Sequence, residues 1–133
     1  MTERTASCRC GQLKAMVTGD PVRISICHCL NCKKRSGSAF AVQARWPADQ
    51  VNIEGESKGF ELVADSGNRA AFHFCPNCGS DVYYEINGKF DGLVAIPLGA
   101  FDDPYFAAPE YSVWEKRKHD WIEILGPDID HIH

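Results

Sequence analysis

No stretch of the 133 residues stays apolar for 18 positions, which excludes a membrane-spanning helix. The opening segment, MTERTASCRCG, is polar and lacks the apolar core of a secretory leader. Low-complexity tracts, linkers and internal repeats are missing too, apart from short cysteine pairs. These absences lead us to expect one domain over residues 1–133, in a reducing cytoplasm. Positive charge is scarce: 14 Lys and Arg stand against 18 Asp and Glu, a net charge of −4. Nucleic-acid binders draw their affinity from dense Lys and Arg, so that class of partner is disfavoured. No segment carries a helical apolar stripe of three turns. The nearest, WEKRKHDWIEIL at residues 114–125, reads as easily as strand in its WIEIL portion.

What the chain does have is short apolar alternation, broken by Gly, Pro, Asn and Asp. Val22, Ile24 and Ile26 alternate, as do Phe40, Val42 and Ala44, and then Val51 and Ile53. Phe60 and Leu62 lead into a turn at residues 65–68 (DSGN), after which RAAFHF runs to Cys75. DVYYEI meets Asn87-Gly88, a favoured two-residue hairpin turn, before GLVAIPL continues the sheet. The expected fold is mainly β, with about eight to ten short strands. Trp46, Trp114 and Trp121 are then core or rim aromatics.

Seven cysteines, an odd number, fit poorly with full disulfide pairing. Zinc suits thiolates because it is borderline soft, and four of them surround it tetrahedrally. Cys75 and Cys78 form a knuckle, CPNCG, whose Pro76, Asn77 and Gly79 suit a tight turn. Two sets can complete it. Cys8 and Cys10 would give a closed four-thiol site and leave Cys27, Cys29 and Cys32 as an open one. Cys29 and Cys32 would instead make an ordinary zinc ribbon and leave Cys8, Cys10 and Cys27 loose, an oxidation hazard. Spacing alone leaves both open.

Other polar residues have plain readings. His28 sits between two candidate ligands, but neighbours in extended chain point apart, so it should face away from the metal. His73 reads as a strand residue, and His131 and His133 as a frayed tail. Asp102 and Asp103 before Pro104 look like turn chemistry. Lys33, Lys34 and Arg35 read either as a solvated turn offsetting thiolate charge or as an anion site for a substrate carboxylate. Ser36, Gly37 and Ser38 continue that loop toward the next strand.

Five segments, SCRCG, CHCLNCKKRSGSAF, FHFCPNCGSDVYY, GLVAIPLGAFDDP and SVWEKRKHDWIEILG, resemble in order the motifs of the glutathione-dependent formaldehyde-activating enzyme family. That family includes the centromere protein V group and has the Mss4-like fold of short coiled antiparallel sheets around zinc knuckles. The resemblance implies two zinc ions. Cys8, Cys10, Cys75 and Cys78 would hold a structural one. Cys27, Cys29 and Cys32 would hold a second, catalytic one. It also implies carbon–sulfur lyase or synthase chemistry on an adduct of a small thiol, such as glutathione, with an aldehyde, formaldehyde being the type case. An open zinc position would take the substrate thiol as its thiolate, the nucleophilic form. The competing expectations are a zinc-stabilised protein-binding module and a thiol-based redox or metal sensor.

Overall fold

The computed structural model describes residues 2–64, 67–106 and 108–133. Two sheets carry the architecture. The smaller holds β1 (Glu3–Ser7), β2 (Lys14–Thr18) and β5 (Val51–Glu54) in the order β1-β2-β5, all antiparallel. The larger adds β3 (Arg23–Cys27), β4 (Ala41–Pro47), β6 (Lys58–Val63), β7 (Arg69–Phe74), β8 (Asp81–Ile86), β9 (Leu93–Pro97), β10 (Tyr111–Val113) and β11 (Asp130–His131). Its order is β11-β10-β3-β4-β9-β8-β7-β6. Most neighbours are antiparallel, but β10 lies parallel to both β3 and β11, so the expectation of antiparallel sheets holds only in part. Among the described residues no helix is long and apolar enough to cross a membrane.

Side-chain alternation explains where the core sits. Ile24 on β3, Ala44 and Trp46 on β4, and Val94 and Ile96 on β9 join Ala15 and Val17 of β2 in one buried cluster. The residues between them face the other way, yet Ser25, Gln43 and Arg45 are buried as well. Both faces of the central strands are therefore covered, and the second face is polar. Trp46 is the largest fully buried side chain. Its indole Nε1 donates to Gly19 O (3.0 Å), and its ring packs against Phe101 and Phe106, centroids 5.6 and 6.2 Å away.

The strand pattern read from sequence is present, with four departures. Asn87-Gly88 is not a two-residue hairpin turn. The chain needs residues 87–92 to pass from β8 to β9, because Asn87 is engaged by β7: Arg69 N donates to its Oδ1 (2.7 Å) and Asn87 N to Arg69 O (3.1 Å). Lys33, Lys34 and Arg35 are not in a solvated turn but in a helix, α1 (Leu30–Ser36), too short to show a stripe. The 114–125 segment is neither helix nor strand beyond one 3-10 turn, Glu115–Arg117. His131 is not frayed: it lies in β11, and its Nδ1 is 2.7 Å from Glu115 Oε2. Of the turn expected at 65–68, Asp65 and Ser66 lie outside the described residues.

The burial contrast between the tryptophans makes a direct prediction. Trp46→Ala empties a core site and should cost about 3–5 kcal/mol in urea unfolding. Trp121, 76% exposed and stacked only on His119, should tolerate Ala within about 0.5 kcal/mol.

Candidate metal centres

The sulfurs form two groups, each with all its ligand atoms within 4.8 Å of one another: Cys8, Cys10, Cys75 and Cys78, and separately Cys27, Cys29 and Cys32. The geometry matches the first of the two pairings that spacing allowed. The ribbon pairing of Cys29 and Cys32 with Cys75 and Cys78 is not formed.

The four-thiol group is built by two interlocked turns. In the knuckle at 75–78, Gly79 takes a left-handed conformation (φ 77°) and its N–H donates to Cys75 O (2.8 Å). Arg9 locks the other turn to it, its N–H donating to Ser80 Oγ (3.1 Å) and its guanidinium to Cys78 O (3.3 Å). Cys8 and Cys10 sulfurs are 3.6 Å apart, and those of Cys10 and Cys75 3.7 Å. A tetrahedron of sulfurs about 2.3 Å from zinc has an edge of about 3.8 Å, so the spacing fits that ion. Backbone and side-chain donors support the set: Leu13 N to Cys8 Sγ (3.3 Å) and Gln12 Nε2 to Cys75 Sγ (3.0 Å). The hydrogen bond with the Ser80 hydroxyl, with backbone N–H groups adding, pulls the Cys78 thiol down to about 5. Thiolates are the metal-binding form, so the group is primed for a cation.

The three-thiol group joins a strand to a helix. Cys27 ends β3, buried at 5% exposure, on the face opposite Ile24 and Ile26. Cys29 is the N-cap of α1 and Cys32 its third residue, so both sulfurs turn to one side, and Cys32 N donates to Cys29 Sγ (3.3 Å). Hydrogen bonds from the thiols of Cys27 and then Cys32, with backbone N–H groups behind them, hold the Cys29 thiol down at about 2. Cys27 is pushed up, first by its bond to Cys29. Cys32 is lowered by Cys27 but raised on balance by Cys29 and burial. Of the three sulfurs, Cys29 is the one its surroundings favour as thiolate. The same fit holds here as in the first group: soft, close-set sulfurs suited to zinc.

His28 stands apart, as alternation requires. It is fully buried, its N–H donates to Val113 O (3.1 Å), and its Nε2 shares a hydrogen bond with Ser112 Oγ (3.0 Å). Asp103 serves its turn by accepting from Tyr105 N (2.8 Å). His73 stacks flat on Tyr83, centroids 4.3 Å apart. Trp114 follows Val113, the partner of Cys27, and holds a left-handed φ of 58°, uncommon for a bulky residue.

The basic cluster is mostly spoken for. Arg35 Nη1 pairs with Asp81 Oδ2 at 2.7 Å and stacks over Tyr84, while Lys33 Nζ donates to Arg117 O. Lys34 alone is exposed, beside a concavity of about 320 Å³ lined by Phe60, Phe72 and Phe74. Sequence reasoning missed Arg45, Gln43, Tyr84 and Gln12. The first three alternate with core residues and read as a solvent face. Gln12 directly follows the Cys8–Gly11 turn, the one signal that could have singled it out.

Gln12 yields a test. Its side chain also accepts from Glu56 N (2.9 Å) and donates to Glu56 O (2.7 Å), and Gly55 packs so closely that an added Cβ would meet Gln12 O at 2.0 Å. Gly55→Ala should therefore cost about 2 kcal/mol or more in denaturant unfolding, since its φ of 97° is also strained for alanine. It should weaken metal retention at the four-thiol group before the three-thiol group.

The comparisons agree with this reading of the chain. A crystal structure of a Rhodobacter sphaeroides protein is similar in fold, with a TM-score of 0.59 at 16% identity over 75% of this chain and 91% of that one. Two thiol groups set among short sheets in a mainly β chain are what the Mss4-like fold provides. The family described as glutathione-dependent formaldehyde-activating enzyme matches residues 3–117. That span takes in all seven cysteines and all but β11 of the strands, and the chain belongs to this family.

Proposed function

We propose that the chain is a zinc-dependent carbon–sulfur lyase or synthase that makes and breaks small thiol–aldehyde adducts of the S-hydroxymethylglutathione kind. One observation carries this reading. Cys27, Cys29 and Cys32 converge, and among the described residues no fourth Cys, His, Asp or Glu joins them. Three protein ligands and a free position characterise catalytic zinc, whereas four enclose structural zinc. On this reading Cys8, Cys10, Cys75 and Cys78 hold a structural ion and the three-thiol set a working one, within one cytoplasmic domain spanning residues 1–133.

Cys27, Cys29 and Cys32 would hold the zinc, which would supply a Lewis acid that favours a substrate thiol as its thiolate. The chain's own residues do the positioning. Cys27 fixes the set to β3, and the Arg35–Asp81 pair pins α1, with Cys29 and Cys32 on it, against β8. Lys34, the exposed cation of α1, would be available for a substrate carboxylate. The sulfur adds to the aldehyde carbon, one carbon–sulfur bond forms, and the carbonyl oxygen takes up the proton the thiol released. Reversal breaks that bond, and neither direction needs an oxidant or a reductant. The family's description supports glutathione as the thiol and formaldehyde as the aldehyde.

Elemental analysis of protein purified with reductant and without chelator should give about two zinc ions per chain, falling to about one in Cys29→Ser. Wild type should accelerate adduct formation or cleavage over the uncatalysed background, and Cys29→Ser should return it to background. A rate that never exceeds background with glutathione and a panel of aldehydes rejects the enzyme. Unfolding of Cys29→Ser would favour a zinc-stabilised binding module instead.

A further inference from the structure

The polar face of the large sheet carries a charge without a partner. Arg45 is only 6% exposed, and among the described residues no carboxylate lies within 4.0 Å of its guanidinium. A buried cation without a counter-charge is costly. Its neighbours do not supply one. Nη1 lies 3.5 Å from Ser25 Oγ, Nη2 donates to Tyr84 OH at 3.2 Å, and the group stacks on Phe90 at 4.1 Å. Tyr84 is kept neutral, because burial pushes its hydroxyl up to about 12. Asp81 is paired with Arg35 at 2.7 Å. Arg23, the register partner of Arg45, is another cation and makes the excess larger.

The missing anion is found along β3. Ser25 and Cys27 are successive residues on the same face, roughly 7 Å apart along the strand, so the guanidinium lies beside the residue next to Cys27 on that face. Burial lowers the arginine's proton affinity, while the Cys32 and Cys27 sulfurs act in the opposite sense. Resting on the zinc reading above, we propose that Arg45 is a positioning residue for the three-thiol site. Its buried cation is the counter-charge that holds Cys27, Cys29 and Cys32 around the metal and admits a further, anionic sulfur at the open position. Three thiolates on a divalent cation leave a net negative charge, and a substrate thiolate increases it. An enclosed cation beside Ser25 offsets that charge without competing for the ligand position. The substrate class that follows is a thiol binding as thiolate, in preference to a neutral donor.

The test is zinc affinity, measured on the full chain by competition with a chromophoric chelator. Cys32→Ser identifies which release step belongs to the three-thiol set. Arg45→Met should weaken that step about 10- to 100-fold, the range seen for groups behind metal ligands. The four-thiol step should stay unchanged, and Arg45→Lys should recover most of the loss. Arg45→Gln, which keeps a polar side chain beside Ser25 and Tyr84 but removes the charge, should weaken the same step as Arg45→Met does. Arg45→Met within about twofold of wild type, or Arg45→Lys as weak as Arg45→Met, overturns the assignment. If Arg45→Met does not fold, Arg45→Gln decides: weaker binding at the three-thiol step alone supports the counter-charge, and unchanged binding overturns it. A wild-type chain that takes up only the four-thiol zinc defeats the zinc reading itself, and is seen before any variant is made.

Discussion

The alternation of side chains across β3 and β4 is the constraint from which the rest of the structure follows. It sends Ile24, Ala44 and Trp46 into the core shared with the smaller sheet, and Ser25, Gln43 and Arg45 to the opposite face. The same alternation separates Cys27 from His28 at the end of β3. Cys27 is delivered to the polar face, where α1 brings Cys29 and Cys32 to meet it. His28 is delivered to Ser112 and buried. A slip of one residue in the β3–β4 register would exchange these faces, turn the thiol toward the core and bury arginine against isoleucine.

The two thiol groups are built by different means, and the difference bears on their roles. The four-thiol group rests on two turns tied by backbone hydrogen bonds, with Cys8 and Cys75 packed as members of the hydrophobic core. Losing a ligand there would disturb the packing of both sheets. The three-thiol group takes one ligand from a strand end and two from a seven-residue helix held by a single ion pair and side-chain contacts. Fewer ties hold it to the rest of the fold, so its local stability is expected to be lower. Exposure does not separate the two groups: Cys27 is buried with Cys29 and Cys32 half-buried, while Cys8 and Cys75 are buried, Cys78 half-buried and Cys10 exposed.

Much of this was legible before any coordinates. Period-two alternation located most strands, because half-buried strands announce their buried side. The cysteines announced metal chemistry through type and spacing. Their partition was not legible, since a Cys-x-x-Cys turn presents two sulfurs whichever pair completes it; only the three-dimensional path of β1 beside the 75–78 knuckle decides. The buried polar face was hidden for a related reason. Gln43 and Arg45 occupy the positions where a one-sided strand would show solvent-facing residues, and nothing local reveals that Arg35 of α1 reaches Gln43 and that Phe90 stacks on Arg45. The helix escaped because its seven residues, LNCKKRS, contain one apolar side chain, and that one, Leu30, is exposed. It is held by its cysteine cap, by Gly37 in a left-handed C-cap, and by the pairing of Arg35 with Asp81.

That last point changes what the basic cluster means. Three consecutive cations in a sequence suggest a patch, a single electrostatic object. In the fold they have three destinations: Lys33 on a carbonyl of the 115–117 turn, Arg35 in the ion pair, and Lys34 at the rim of the phenylalanine-lined concavity. The charge that reaches the thiols from beneath comes from Arg45, on a strand that the sequence marks as ordinary. The site's electrostatics thus draw on the sheet as well as on Arg35 of the motif, which acts on Cys32. A chain could keep every cysteine of CHCLNC and still alter the chemistry by changing residues 43 or 45 on the strand beneath.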